Sequence, residues 1–186
     1  MKIKLLSLFL ILTLLCSALL VSCNNDQASD TSGSVGLEYK ARKDGESCTI
    51  TGLGTCTDTE IKIPETIDGL KVVAIGATAF ADKTEITSVL IPFGVKTVSA
   101  NAFIGCSGLT YISLPATLEK IGASAFRDCD ALGTIYYEGE ASDWRGVEIG
   151  DQNDPIWTST MYYFSEYSPT NAGSYWHYVD GVPAKW

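Results

Sequence analysis

The chain has 186 residues, 22 acidic and 13 basic, with a formal net charge of −9 and a single histidine. An acidic chain without a Lys/Arg run is a poor match for a polyanion, which argues against nucleic acid and anionic lipid surfaces as partners. One His and no C-x-x-C pair leave zinc without a ligand set, so no metal or other cofactor is expected.

Lys2 and Lys4 precede an almost wholly apolar run from Leu5 to Val21, which ends in Leu20-Val21-Ser22-Cys23. A basic start, an apolar stretch and a small residue before the cut form an export signal over residues 1–22. The Cys directly after that small residue resembles a bacterial lipobox. The resemblance implies cleavage before Cys23 and a diacylglycerol thioether on its sulfur. Cys16 is the poorer candidate because bulky Leu15 precedes it. A simple transmembrane anchor is the alternative, but the run sits at the short limit for a bilayer core of about 30 Å and lacks a basic flank. Two acyl chains hold a protein stably where one does not. The expected location is therefore the cell surface, with the membrane reached through lipid on Cys23. Loss of Lys2 and Lys4 leaves 11 basic against 22 acidic residues, a net charge of −11. Residues 23–36 are rich in Asn, Asp, Ser and Gly, cannot bury enough surface to offset ordering, and read as a flexible tether.

Residues 37–140 carry a repeat. Phe80, Phe103 and Phe126 recur every 23 residues, each preceded by Ala79, Ala102 or Ala125. Ile86-x-x-Val89-x-Ile91 returns as Leu109-x-x-Ile112-x-Leu114 and Leu132-x-x-Ile135-x-Tyr137. A 20–29-residue period with this spacing predicts a leucine-rich solenoid with one strand per coil. No single coil can bury its apolar residues, so coils stack around a shared core. Ile61-Lys62-Ile63-Pro64 opens a degenerate first coil, with extra residues in Glu65–Ala74 forming a turn at Asp68-Gly69. Terminal coils are expected to depart from the pattern.

The string I-P-x-x-V/L-x-x-V/I-x-x-x-A-F-x-x-C-x-x-L-x-x-I-x-L-P resembles the BspA-like leucine-rich repeat family of bacterial surface proteins. The segment from Trp144 to Trp186 also resembles the C-terminal segment appended to its short members. The resemblance implies a cell-surface interaction protein, with adhesion among the roles of relatives, and brings no catalytic residues.

The strand period of two sends Val89, Ile112 and Ile135 inward. It sends Ser88, Tyr111 and Thr134 outward in one column and Leu90, Ser113 and Tyr136 outward in another. These six residues make the candidate binding face, although the same rings serve equally well as a cover for the sheet. Small residues around Gly76, Ala77 and Ala79 predict a short helical turn on the opposite side.

Cys106 and Cys129 share a column one coil apart and are expected as buried free thiols, a disulfide being the alternative. A Cys48–Cys56 link also stays open. Residues 141–186 break the period and read as a β-rich cap. Ser142-Asp143-Trp144 starts a short helix, Met161–Phe164 and Tyr175–Val179 form strands, and Asp180-Gly181 forms a hairpin turn. Its aromatics are expected to close the open end of the stack. The alternative is a glycan platform built from Tyr162, Trp176, Tyr178 or Trp186. His177 is read as a packing residue and Asp151–Asp154 as a polar turn rather than a calcium loop. No nucleophile or phosphate-loop motif occurs, so an enzyme is not expected. Two function classes result: a lipid-anchored module that binds a protein, and a surface lipoprotein that binds a glycan.

Overall fold

Each 23-residue period contributes two short strands joined by tight turns, and equivalent strands of successive periods pair in parallel. The computed structural model describes residues 33–170 and 172–186. Cys23, the expected export signal and the expected tether up to residue 32 lie outside the described residues. In chain order, β1 (Glu38–Ala41) and β2 (Ser47–Gly52) form an antiparallel hairpin. β3 (Glu60–Lys62) begins the predicted strand stack, and β4 (Thr66–Ile67) pairs antiparallel with β5 (Leu70–Ile75) across Asp68-Gly69. The regular coils supply β6 (Ser88–Leu90), β7 (Thr97–Val98), β8 (Tyr111–Leu114), β9 (Lys120–Ile121) and β10 (Thr134–Tyr137). Next come α1 (Ala141–Trp144), β11 (Glu148–Ile149), α2 (Asp154–Thr158) and β12 (Thr160–Phe164). β13 (Tyr175–Val179) and β14 (Val182–Lys185) make the last hairpin.

Two sheets run along the stack. One has the order β1-β2-β5-β7-β9-β11 with β4 beside β5, and the other β14-β13-β12-β10-β8-β6-β3. The second sheet is the predicted strand stack, in register Val89↔Ile112↔Ile135↔Met161. The first sheet was not foreseen. The expected helical turns opposite the strands are tight turns linked to two-residue strands. Their cause lies in the main chain. Thr78 (φ 58°) and Asp82 (φ 57°) interrupt the right-handed helical path twice within five residues, and Asn101, Gly105, Ser124 and Asp128 repeat the interruption in the next coils.

The core between the sheets is a column of stacked rings. Phe80 and Phe103 lie 5.1 Å apart at 5°, and Phe103 and Phe126 lie 5.3 Å apart at 10°. All three are fully buried, as are Ile75, Val98 and Ile121. Coils are tied by the main chain, since Phe80 N donates to Ala102 O and Phe103 N to Ala125 O, both at 2.8 Å. The thiols of Cys106 and Cys129 donate to Phe80 O and Phe103 O at 3.0 and 3.1 Å. Cys48, Cys56, Cys106 and Cys129 are all free, so neither disulfide considered from the sequence forms. Burial pushes the Cys106 thiol up to about 11 and the Cys129 thiol up to about 12.

The coil pattern continues past residue 140 with a longer spacing. β11 pairs with β9 and β12 with β10, with α1 and α2 inserted between them. Asn153 makes the join. Its Oδ1 accepts from Phe126 N at 3.0 Å, the role that Ala102 and Ala125 carbonyls play one coil earlier. Its Nδ2 donates to Gly122 O and Gly150 O at 2.9 and 2.7 Å. A buried side-chain amide thus stands in for the next coil's main chain. At the other end, Ser34 N donates to Lys62 O at 2.6 Å, and Lys62 N donates to Ser34 Oγ at 3.0 Å. The last residues of the proposed tether are therefore bound along the edge of β3.

Candidate binding face

The strand register sets the six expected residues in two lines across the sheet. Ser88, Tyr111 and Thr134 form one line across β6, β8 and β10, and Leu90, Ser113 and Tyr136 form the other. They differ in access. Leu90, Tyr111 and Thr134 are half-buried, while Ser88, Ser113 and Tyr136 retain only 2%, 1% and 8% of their surface.

The cover over Tyr136 comes from the chain's own C-terminal hairpin. Trp176 pairs with Phe164 on β12, is fully buried, and sits 5.4 Å from the Tyr136 ring at 56°. Tyr111 and Tyr162 add rings to Tyr136 at 5.7 and 5.8 Å. The Tyr178 ring packs edge-on against Trp176 at 4.8 Å, and its hydroxyl donates to the Glu138 carboxylate. Burial raises the Glu138 carboxyl above its ordinary value, with the Tyr178 hydrogen bond opposing the rise. Burial and the adjacent Glu138 carboxylate both raise the Tyr178 phenol. The strand face is thus closed at its C-terminal end by an aromatic cluster and left reachable at Leu90 and Tyr111.

Of the four rings expected as a glycan platform, Trp176 is unavailable. Tyr178 and Trp186 keep 43% and 48% of their surface, and Tyr162 is half-buried with Lys185 Nζ 4.5 Å above its ring centre. His177 stacks on Trp186 at 3.8 Å, a packing role, and the Trp186 indole donates to Ser165 O at 2.9 Å. Asn153 commits its amide to the main chain, as a turn-forming residue would. Among the described residues, no group of three or more His, Cys, Asp and Glu is placed to hold a metal ion, and no helix is long and apolar enough to cross a membrane.

Parallel strand columns, a phenylalanine ladder and stacked coils define a leucine-rich-repeat solenoid, an architecture whose sheet surface serves as an interaction scaffold. Residues 54–144 match the BspA type leucine-rich repeat region in six copies. A leucine-rich repeat protein from Bacteroides capillosus ATCC 29799 is 29% identical over 69% of this chain and 94% of its own, with a TM-score of 0.56. The T. pallidum leucine-rich repeat protein is 22% identical over 70% of this chain and 69% of its own, with a TM-score of 0.54, a likeness of fold alone. A search of the curated proteins found no match.

Proposed function

We propose that the protein is a lipid-anchored cell-surface module whose outward strand face binds a protein partner, without catalysis. The observation that carries this reading is the placement of Leu90 on β6 and Tyr111 on β8, diagonal neighbours on one face of an in-register sheet, both half-buried and still reachable. A sheet fixed on both flanks holds these side chains ready, so little ordering entropy is lost on binding. Tyr suits such a position because a flat amphipathic ring buries much area at low entropic cost. The anchor rests on Leu20-Val21-Ser22-Cys23.

Tyr136 is a poor site for a test because its loss would disturb the Trp176 cluster. The test is Leu90→Ala with Tyr111→Ala. Placing a photo-crosslinking side chain at position 111 identifies the partner on intact cells. The double variant is then expected to bind that partner about tenfold more weakly, about 1.4 kcal/mol, with unchanged melting. Unaltered affinity overturns the strand-face reading. Separately, Cys23→Ala is expected to abolish labelling by a radioactive fatty acid and to release the protein from the membrane. Retained labelling overturns the anchor.

A further inference from the structure

The last coil has no successor to cover its inward side chains. Tyr163 occupies the core-facing column of β12 and packs edge-on against Tyr137 at 6.4 Å. The start of α1, residues 163–165 and 167–170, and Tyr175 line a cavity of about 530 Å³. That volume falls within the range of small-molecule sites. Its walls include the rings of Tyr163, Tyr167 and Tyr175, with Glu140, Ser142 and Ser165 around them. Gly173 lets the Tyr175 ring lie close to the main chain, since a Cβ there would stand 2.4 Å from it. Tyr167 is 75% exposed, an open position for a large ring.

The chemistry of the lining is one-sided. Among the described residues it offers hydroxyl groups and aromatic faces, a single carboxylate, and no basic side chain. Aromatic faces are electron-rich and attract the C–H-bearing face of a saturated ring, while hydroxyls and a carboxylate receive and return hydrogen bonds at its edge. Without a Lys or Arg the cavity cannot compensate a phosphate, sulfate or carboxylate ligand, and Glu140 repels them. One carboxylate also falls short of the pair that glycoside hydrolysis uses.

We infer that this end cavity binds a short neutral saccharide, stacked on Tyr167 and Tyr175 and hydrogen-bonded by Glu140 and Ser142. The site is separate from the strand face and uses different rings from Tyr162, Tyr178 and Trp186. It does not depend on the protein-binding reading.

The test titrates the full chain with cellotriose, maltotriose and chitotriose, and with trigalacturonate as an anionic counterpart, by calorimetry and saturation-transfer NMR. At least one neutral trisaccharide is expected to saturate below about 10 mM. Tyr167→Ala should weaken it about tenfold with unchanged melting, and Tyr167→Phe, which keeps the ring, should weaken it less. Trigalacturonate should bind more weakly, and Glu140→Gln should narrow that gap. Trp157→Ala, at an exposed ring on α2 outside the cavity lining, and Leu90→Ala with Tyr111→Ala should leave saccharide binding unaltered. Absence of saturation by all three neutral sugars overturns the inference. So does retention of full affinity in Tyr167→Ala. Saturation of the cavity resonances by an unglycosylated peptide, with no saccharide signal, also overturns it.

Discussion

The indole Nε1–H of Trp176 donates to the main-chain oxygen of Tyr137 at 2.9 Å, 39 residues away in sequence. Tyr137 is the last residue of β10, so this bond ties the C-terminal hairpin to the body of the solenoid. Trp176→Ala removes both the bond and a fully buried ring, and should cost about 3–5 kcal/mol. Hydrogen exchange should quicken first over Tyr175–Lys185, with β8 still protected, because the hairpin can open locally. Uniform acceleration along the whole solenoid would show that the hairpin is no separate unit.

Phe103 sits between two parallel rings with no exposed surface. Phe103→Ala empties the middle of the ladder and should cost about 3–5 kcal/mol. For a chain of this size that lowers the melting temperature by roughly 6–20 °C, readable by circular dichroism. A drop of a degree or two would contradict the stacked core.

The repeat columns were legible because a buried face must recur with the period of the coil. Phe80, Phe103 and Phe126, and the alternation Ser88-Val89-Leu90, carried the stack and its register. The first sheet was not legible, because β7, β9 and β11 are two residues long and leave no alternation to read. Asn153 was hidden for another reason: it replaces a main-chain carbonyl, and that role has no side-chain pattern. Access to Tyr136 depends on Trp176, 40 residues later in the chain. Periodicity gives the direction of a side chain but says nothing of what another segment lays over it.

Cys106 and Cys129 are buried, donate to carbonyls, and have thiols pushed up to about 11 and about 12. Only the thiolate reacts, so both should resist iodoacetamide at pH 8 in the folded protein. After unfolding without reductant both should be alkylated. Peptide mass spectrometry distinguishes these outcomes, and rapid labelling of the folded protein would mean that the coils open.

Thr78, Asn101 and Ser124 share a left-handed main chain at φ 58°, 59° and 55°. A β-branched side chain tolerates that region worst, and Asn tolerates it well. Thr78→Asn should therefore raise stability, by about 0.5–1 kcal/mol, whereas Asn101→Val should lower it by about 1–2 kcal/mol. Urea unfolding measures both, and equal effects of like sign would refute the strain argument.

Glu138 receives the Tyr178 hydroxyl while burial raises its carboxyl. A carboxyl raised on folding binds its proton more tightly in the folded state than in the unfolded one. Its penalty is therefore absent at low pH, where both states are protonated. The penalty appears as pH rises past the ordinary value of 4.5 and is complete above the folded value. Glu138→Gln keeps an oxygen to accept from Tyr178 but cannot ionise. The variant should melt higher than the parent at pH 7, and the difference should shrink as the pH is lowered towards about 4. The Tyr178 phenol is raised in turn, so the unfolded chain ionises first at high pH and the parent should lose stability above about pH 10. Tyr178→Phe should lose less over that alkaline range. Parallel melting curves for the parent and Glu138→Gln between pH 4 and 7 would show that the hairpin contact does not desolvate the carboxylate.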